Sequence, residues 1–249
     1  AFAEVVNKRG SDDSLIVAAS AATATRLAQG AYPGNSMDQV KWVGTIGADY
    51  GVIAVAGDSD VVTLGELLEN LKTKPKKWVI GGGSAVGGWD HLKVLMAAKE
   101  YGISNVRKIK YVSFDGGGDA VTQLLAGNVQ IFTGDVSEIK GFVDAGDIKI
   151  IAVLSPDRLP GDFSKFYTAK EQGVNVVGAN WRGFYVPKGM SDDAYNFWAG
   201  AIKKMYDTPQ WKKTMAKNGL APLDLSGKAF EAFVANSVAS IQTISKQIG

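Results

Sequence analysis

The chain has 249 residues, with 27 Lys and Arg against 25 Asp and Glu, and a formal net charge of +2. This balance does not indicate nucleic-acid binding, which usually shows a clustered basic face. The sequence contains no cysteine, which excludes disulfides, thiolate metal sites and cysteine nucleophiles. Its apolar runs all stay well below the roughly 20 residues of a membrane span.

The first residues already have helical character. Residues 1–6 resemble the end of a helix and no signal peptide is visible, so we expect further residues ahead of Ala1. A buried strand is predicted at residues 15–19. The hydroxyls of Ser20, Thr23 and Thr25 follow that strand, and they either line a ligand cleft or cap the next helix.

Short β-branched apolar runs alternate with amphipathic helical stretches, and this alternation predicts an α/β fold. The predicted strands after the first lie at residues 42–46, 52–55, 78–80, 108–113, 129–133 and 148–154. The last third of the chain is predicted to be mostly helical, with helix starts at Ser191 and at Thr208-Pro209.

A capping box predicts the helix that follows the third strand. Thr63 and Glu66 have the spacing at which a hydroxyl and a carboxylate satisfy each other's free backbone donors. The basic run from Lys72 to Lys77 comes after the apolar stripe of this helix. We interpret it as a solvated helix end.

Two glycine-rich turns each connect a predicted strand to a predicted helix. They are Gly81-Gly82-Gly83-Ser84 and Asp115-Gly116-Gly117-Gly118-Asp119. Each should expose backbone N–H groups at a helix N-terminus and at the carboxyl end of a strand, where an anion is favoured. The alternative is that glycine serves only the geometry of a tight connection. In the second turn Asp115 and Asp119 would repel an anion, and Asp119 is predicted to be a helix cap.

Enzyme motifs fail on the residues present. Neither turn fits the dinucleotide-binding, P-loop or nucleophile-elbow pattern. His91 is the one histidine of the sequence, and a Ser84–His91 pair would have to supply any hydrolase chemistry. We expect His91 to lie at a helix surface or cleft edge instead, and we expect no metal and no cofactor.

The ordered set of motifs resembles the solute receptors of tripartite tricarboxylate transporters (the TctC/Bug-like family), and within it the receptors for tricarboxylates such as citrate. The resemblance covers nearly the whole chain. Its stretches are residues 38–55, 79–84 with the following Gly87-Gly88-Trp89-Asp90, 111–118, 134–138, 151–155, 158–160, 168–173 and 182–186.

This resemblance implies a type II periplasmic-binding-protein fold, with two α/β lobes and a ligand cleft between them. Residues 1–57 and 181–249 would form the first lobe, and residues 58–180 the second. The family begins with a strand and a Pro-Gly-Gly-type loop that this sequence lacks, which adds to the expectation that the chain is incomplete.

The resemblance also implies where a ligand carboxylate binds. Backbone amides of a second-lobe loop would hold it, with Trp89 nearby, and Asp135 and Ser137 match a segment that faces the cleft. That loop is Gly82, Gly83, Ser84, Ala85 and Val86. Arg182 would lie on the returning strand, where it pairs with an additional carboxylate or else bridges a helix end or an acidic neighbour.

The implied function is that of an extracytoplasmic receptor, periplasmic, secreted or membrane-anchored, that captures a citrate-like acid or dicarboxylate by lobe closure. Its partners would be that ligand and the membrane permease subunits, and we expect a monomer that binds no nucleic acid. The alternatives are a receptor for another organic acid or for signalling, an interaction protein with a degenerate cleft, and a hydrolase that uses Ser84 and His91.

Overall fold

The computed structural model describes residues 2–248, and the side chains as far as residue 246. Contacts divide the chain into two units. Unit 1 holds residues 2–48, Asn180–Lys217 and Pro222–Lys246, and unit 2 holds Asp49–Ala179 and Asn218–Ala221. The lobe limits at residues 57 and 181 stay a prediction.

Unit 1 is built on strands that follow one another in the order β1-β7-β2. Strand β1 runs antiparallel to β7, with Val17 opposite Tyr185 and Ser20 opposite Arg182. Its elements are α1 (Phe2–Lys8), β1 (Val17–Ser20), α2 (Ala21–Ala28), the first part of β2 (Val40–Ala56), most of β7 (Ala179–Pro187), α7 (Asp192–Tyr206), α8 (Pro209–Lys217) and α9 (Gly227–Ile248).

Aromatic side chains fill the core of unit 1. Trp42 of β2 meets Trp181 and Tyr185 of β7 at ring-centroid distances of 6.0 and 5.5 Å, and Phe230 of α9 lies edge-on to both tryptophans. Such edge-to-face packing contributes beyond the area that the rings bury. Phe230 thus packs α9 against the strands.

Unit 2 is built on strands in the order β2-β5-β3-β4, with β6 also paired to β2. Strands β3, β4 and β5 are parallel, whereas β2 is antiparallel to β5 and β6. The further elements are α3 (Leu64–Thr73), β3 (Val79–Gly82), α4 (Trp89–Glu100), β4 (Lys110–Ser113), α5 (Gly117–Leu125), β5 (Ile131–Asp135), α6 (Val136–Ala145) and β6 (Ile148–Val153).

The capping predictions are confirmed for three helices. The Thr63 hydroxyl accepts the N–H of Glu66, whose carboxylate accepts the N–H of Thr63. The Ser191 hydroxyl accepts the N–H of Ala194 at the start of α7, and α8 begins at Pro209. The prediction for Asp119 was wrong, because α5 begins at Gly117 and its N-cap is Gly116.

The two strands predicted at residues 42–46 and 52–55 are one strand, β2, of 17 residues. Asp49, Tyr50 and Gly51 separate the two predicted strands, because aspartate and glycine are rare inside strands. The buried Asp49 carboxylate instead accepts hydrogen bonds from Ser137, and the Gly51 amide donates to the Gly178 carbonyl at 2.8 Å. Tertiary contacts therefore keep the strand continuous.

None of the helices in the described part of the chain combines the length and the hydropathy that crossing a membrane requires.

Candidate functional site

The carboxyl ends of β3, β4 and β5 meet at one edge of unit 2. The parallel register places Gly82 opposite Ser113 and Gly81 opposite Phe132. Helix α6 begins directly after β5, α5 begins four residues after the end of β4, and α4 follows β3 after the loop of residues 83–88. Three helix N-termini therefore share one edge, the position at which open α/β sheets bind ligands.

The two glycine-rich turns touch each other at this edge. A β-carbon on Gly83 would lie 2.7 Å from the carbonyl carbon of Gly116 and from the amide nitrogen of Gly117. Gly116 itself adopts a φ of 135°, which side chains rarely allow. Glycine at position 83 thus permits the close approach, and glycine at position 116 permits the turn.

The N-terminus of α6 already holds carboxylates from the protein. Asp135 is its N-cap, and the Glu138 carboxylate accepts the Asp135 N–H at 2.8 Å. The Asp49 carboxylate accepts the amide of Ser137 at 3.2 Å and its hydroxyl at 2.6 Å. The positive end of this helix is therefore neutralised from within.

The same Glu138 carboxylate also lies against the N-terminus of α5. It is so close to Gly117 that a β-carbon there would collide with it. Loss of solvation raises the pKa of Glu138, and the neighbouring Asp135 charge raises it further. The Glu138 carboxylate occupies the space that an anion at the second glycine-rich turn would need.

The start of α4 has a different arrangement. Its N-cap is Gly88, and the acidic residue of its first turn, Asp90, pairs with the ammonium of Lys93 at 2.9 Å. The preceding loop is partly exposed at Gly83 and Ser84 and exposed at Ala85 and Val86. The start of α5 is also partly exposed but lies against the Glu138 carboxylate, whereas the start of α4 combines an accessible glycine-rich loop with an acid that is already paired to Lys93.

Side chains around the loop fix its shape. The Ser84 hydroxyl accepts the amide of Asp90 at 2.9 Å, and the Ser84 carbonyl accepts the Tyr111 hydroxyl at 2.7 Å. The Gly87 amide donates to His91 Nδ1 at 3.0 Å. The His91 ring also stacks on the Tyr111 ring with centroids 4.5 Å apart. These contacts hold the backbone in one conformation and leave its outer face open.

Burial shifts the pKa values of both ring residues. It lowers the pKa of His91 to about 4 and raises that of Tyr111 to about 12. At neutral pH the imidazole is therefore uncharged and Nδ1 is free to accept the Gly87 amide. The tyrosine stays protonated, so it remains a hydrogen-bond donor to the loop.

Two buried donors near the loop have no acceptor within residues 2–248. They are the indole Nε1 of Trp89, a residue that is 8% exposed, and Nε2 of His91. With Nδ1 of neutral His91 acting as acceptor, Nε2 carries the proton. Buried donors are normally paired, so these two are unsatisfied among the described residues.

Asp135, predicted to face the cleft, has its carboxylate inside unit 2. The residue is 4% exposed, and the carboxylate lies 2.8 Å from Lys93 Nζ, which also donates to the Gly134 carbonyl at 2.7 Å. Burial lowers the pKa of Lys93, but the charges of Asp135 and Asp90 outweigh it and raise the pKa overall. The charged network fixes the end of β5 against α4.

Lys93 and Tyr111 were missed by the reasoning from sequence. A signal for Lys93 was present, because the lysine interrupts the apolar face of Leu92, Leu95 and Met96 three residues after Asp90. A long charged residue in a buried stripe with an acid at i−3 indicates an internal ion pair. Tyr111 carried no comparable signal, since its role depends on the pairing of β3 with β4.

The remaining predicted residues lie in unit 1. The Ser20 hydroxyl accepts the Ala22 amide and Thr23 Oγ1 accepts the Ser20 amide, at 3.2 and 3.3 Å, so both hydroxyls cap α2. Thr25 donates its hydroxyl to the Ala21 carbonyl. Arg182 stands opposite Ser20 in the β1–β7 register. The start of α2 and Arg182 are therefore neighbours in unit 1.

The Ser84–His91 pair required for a hydrolase is not formed. The Ser84 hydroxyl oxygen accepts from Asp90, and His91 Nδ1 accepts from Gly87. A serine nucleophile needs its hydroxyl bonded to the base that takes its proton. Since His91 Nδ1 is bonded to Gly87 and neither imidazole nitrogen is bonded to the Ser84 hydroxyl, the geometry does not support nucleophilic chemistry here.

Comparison with known proteins gives one matching family, described as "Tripartite tricarboxylate transporter family receptor", over residues 7–249. That description is of a receptor and not of an enzyme. A UPF0065 protein of Cupriavidus necator is 23% identical over 203 residues, which are 82% of this chain and 60% of that protein. The chain thus spans less than two thirds of the curated relative's length.

Solved structures share the fold at low sequence identity. A TctC solute binding protein from Polaromonas is 22% identical with a TM-score of 0.78, covering 99% of this chain and 82% of that one. MatC from Rhodopseudomonas palustris with bound malate is 14% identical with a TM-score of 0.81, covering 97% of this chain and 82% of that one. A further R. palustris protein with adipate is 18% identical with a TM-score of 0.85, covering 99% of this chain and 81% of that one. The chain therefore has the α/β fold of periplasmic binding proteins.

Proposed function

We propose that this chain, which belongs to the tripartite tricarboxylate transporter receptor family, binds a small carboxylate at the loop formed by residues 82–86. The loop lies at the positive end of α4, and its outer residues Ala85 and Val86 are exposed. At the neighbouring helices, protein carboxylates already lie at the N-terminus: Glu138 at α5 and Asp49 at α6. The observation that carries the proposal is this difference between the three helix ends.

A carboxylate is the chemical class that suits this loop. Backbone amides at a helix N-terminus bind anions, and hydrogen bonds to a charged acceptor are about twice as strong as neutral ones. The unpaired Nε1–H of Trp89 and Nε2–H of His91 are two further donors beside it. We assign to Asp135 a positioning role through Lys93, and to Gly82 the close packing against the Tyr111 hydroxyl.

Dicarboxylates and citrate-like acids are the ligands that we propose to test first. Relatives with the same fold carry malate and adipate, and both have a second carboxylate. In unit 1, Arg182 next to the start of α2 is our proposed partner for that group, with Ser20 and Thr23 as its neighbours. A guanidinium pairs bidentately with a carboxylate, which favours diacids over monoacids.

The proposed role is capture and delivery without chemical change. As the family implies, we also propose that the lobes close on the ligand in an extracytoplasmic compartment. The chain would then pass the ligand to membrane permease subunits. Closure needs only that the ligand bind the closed state more tightly than the open one.

A thermal-shift screen tests the proposal. The purified chain is heated with malate, adipate and citrate, and with dimethyl adipate, which keeps the adipate skeleton but has no charge. A ligand at about a thousand times its dissociation constant should stabilise by roughly 4 kcal/mol, and the diester should not. No shift with any acid, or an equal shift with the diester, would contradict carboxylate binding.

A pair of valine variants locates the binding to the loop. Val86→Asp places a negative charge on an exposed loop residue, and Val62→Asp does the same elsewhere in unit 2; the two valines are 67% and 60% exposed. We expect Val86→Asp to weaken the affinity at least about tenfold through like-charge repulsion. Val62→Asp should bind as the unmodified chain does, and equal losses would disprove the assignment.

A further inference from the structure

Two basic segments that are far apart in sequence come together at one place in unit 2. The first is Lys72–Lys77, at the end of α3, and the second is Arg107–Lys110, which leads into β4. Together they line a groove of about 680 Å³, which we call the basic groove; its walls are Thr73, Lys74, Pro75, Lys76, Lys77, Lys108 and Lys110. The sequence alone showed only the first segment, which was interpreted as a solvated helix end.

The helix-end interpretation accounts for only part of this cluster. Lys72 and Lys74 lie in the last turn and at the C-cap of α3, where cations favour the helix dipole. Lys76 and Lys77 lie beyond the helix, and Lys108 and Lys110 belong to another segment. A favourable helix dipole therefore does not explain why four further cations gather here.

The basic groove has almost no compensating acid. Lys72 lies 3.9 Å from the Glu69 carboxylate, whereas Lys74, Lys76, Lys77, Lys108 and Lys110 make no ion pair with any described residue. Both segments are free of Asp and Glu. Because the whole chain carries a net charge of only +2, this local excess is a property of one surface and not of the general composition.

The position of the groove separates it from the ligand loop. Val79 and Lys110 are register partners at the amino ends of the parallel strands β3 and β4, and Lys77 lies two residues before Val79. The carboxylate-binding loop follows the carboxyl ends of the same strands. A partner in the groove would therefore leave the loop of unit 2 uncovered.

We propose that the basic groove is a docking surface for a membrane that contains anionic phospholipids. All five cations that line it are lysines, which act as point charges on flexible apolar stems and do not form the rigid fork of arginine. Lysine stems and Pro75 place apolar surface between the charges, which suits the boundary of headgroups and acyl chains. An array of lipid phosphates complements many separate ammonium groups.

Vesicle co-sedimentation tests the docking surface. The full chain is mixed with vesicles of phosphatidylglycerol and phosphatidylcholine in equal amounts, and with vesicles of phosphatidylcholine alone. We expect binding to the first and not to the second, with loss of binding at about 1 M salt, where the screening length falls to roughly 3 Å. No binding to the anionic vesicles overturns the proposal.

Two quadruple variants separate the groove from the overall charge. One carries Lys76→Gln, Lys77→Gln, Lys108→Gln and Lys110→Gln, and the matched control carries Lys212→Gln, Lys213→Gln, Lys217→Gln and Lys228→Gln. All eight lysines are exposed, and both variants change the net charge equally, from +2 to −2.

The groove variant should lose vesicle binding by about a hundredfold or more, since each lysine near an anionic surface contributes roughly fivefold. The control should bind nearly as well as the unmodified chain. An equal loss in both variants would show non-specific attraction and overturn the proposal. Tighter binding of the unmodified chain to polyglutamate than to the vesicles would overturn it in favour of an acidic protein segment.

Discussion

Tyr111 contacts the loop of residues 82–86 through one hydroxyl. Its O–H donates to the Ser84 carbonyl at 2.7 Å, and its pKa of about 12 keeps the proton in place at neutral pH. Tyr111→Phe removes this bond and leaves the ring on His91. We expect the carboxylate affinity to fall about three- to tenfold, the equivalent of one hydrogen bond, as measured by titration calorimetry.

Tyr101→Phe is the matched control for this change. The Tyr101 hydroxyl, also in unit 2, donates to the Glu69 carboxylate at 3.4 Å, and neither residue belongs to the loop. The control should leave the affinity unchanged. Similar losses in the two variants would mean that Tyr111 acts through general stability and does not position the loop.

Individual residues show why sequence reasoning identified the loop but not its support. The loop is recognisable from composition, since the three consecutive glycines Gly81, Gly82 and Gly83 next to a predicted strand are unusual. The partners of that loop, Tyr111 and His91, depend on β4 lying beside β3 and on the ring stacking that results. Ser20 and Thr23 were ambiguous because a hydroxyl after a strand fits both a cap and a binding surface, and the structure uses both hydroxyls as caps.

At the scale of elements, the contact between the two glycine-rich turns can be tested by substituting glycines. Gly83→Ala would bring a β-carbon within 2.7 Å of Gly116 and Gly117 backbone atoms, which cannot give way as a side chain can. The turns must then separate. We expect the carboxylate affinity to fall at least about tenfold, since a shift of the binding groups by a fraction of an ångström is costly.

Gly118→Ala serves as the matched control in the other turn. A β-carbon at Gly118 meets no atom within 4 Å, and the residue lies in the first turn of α5. Alanine there should raise the unfolding free energy by about 0.5–1 kcal/mol through helix propensity, with no effect on affinity. If Gly83→Ala bound as tightly as Gly118→Ala, the contact between the turns would be irrelevant to binding.

Elements with strong local signals were predicted well. The capping box of α3 and the proline at the start of α8 depend on neighbours in sequence, and both are confirmed. Strand β2 was predicted as two pieces because Asp49 and Gly51 look like turn residues, and only their partners in α6 and at Gly178 explain the continuous strand. Contacts between neighbours in the sequence can thus be predicted from it, whereas contacts with distant segments, such as those of Asp49 and Gly51, cannot.

At the scale of the whole molecule, His91 makes the unfolding free energy depend on pH. Burial lowers its pKa from 6.5 to about 4, so between these values the unfolded chain binds more protons than the folded one. The contribution of the neutral His91 side chain to the unfolding free energy is complete above pH 6.5 and is lost as the pH falls towards 4. Since the ring is only partly buried, we expect a loss of about 2 kcal/mol.

Urea unfolding of the chain and of His91→Gln at several pH values isolates this contribution. Other groups titrate equally in both proteins, so the difference between the two curves belongs to position 91. That difference should shrink as the pH falls through this range. A difference that stays constant would show that the imidazole titrates with its ordinary pKa.

The buried ammonium of Lys93 has a consequence for how the sequence can vary. A β-carbon at Gly51 would lie 2.5 Å from Lys93 Cδ, and one at Gly178 would lie 3.1 Å from it. The long stem thus excludes a larger residue at position 51 and crowds position 178, where the side chain of Leu154 lies equally close. Among descendants of this sequence, positions 51 and 93 should therefore change together, whereas a change at position 178 should also depend on the residue at position 154.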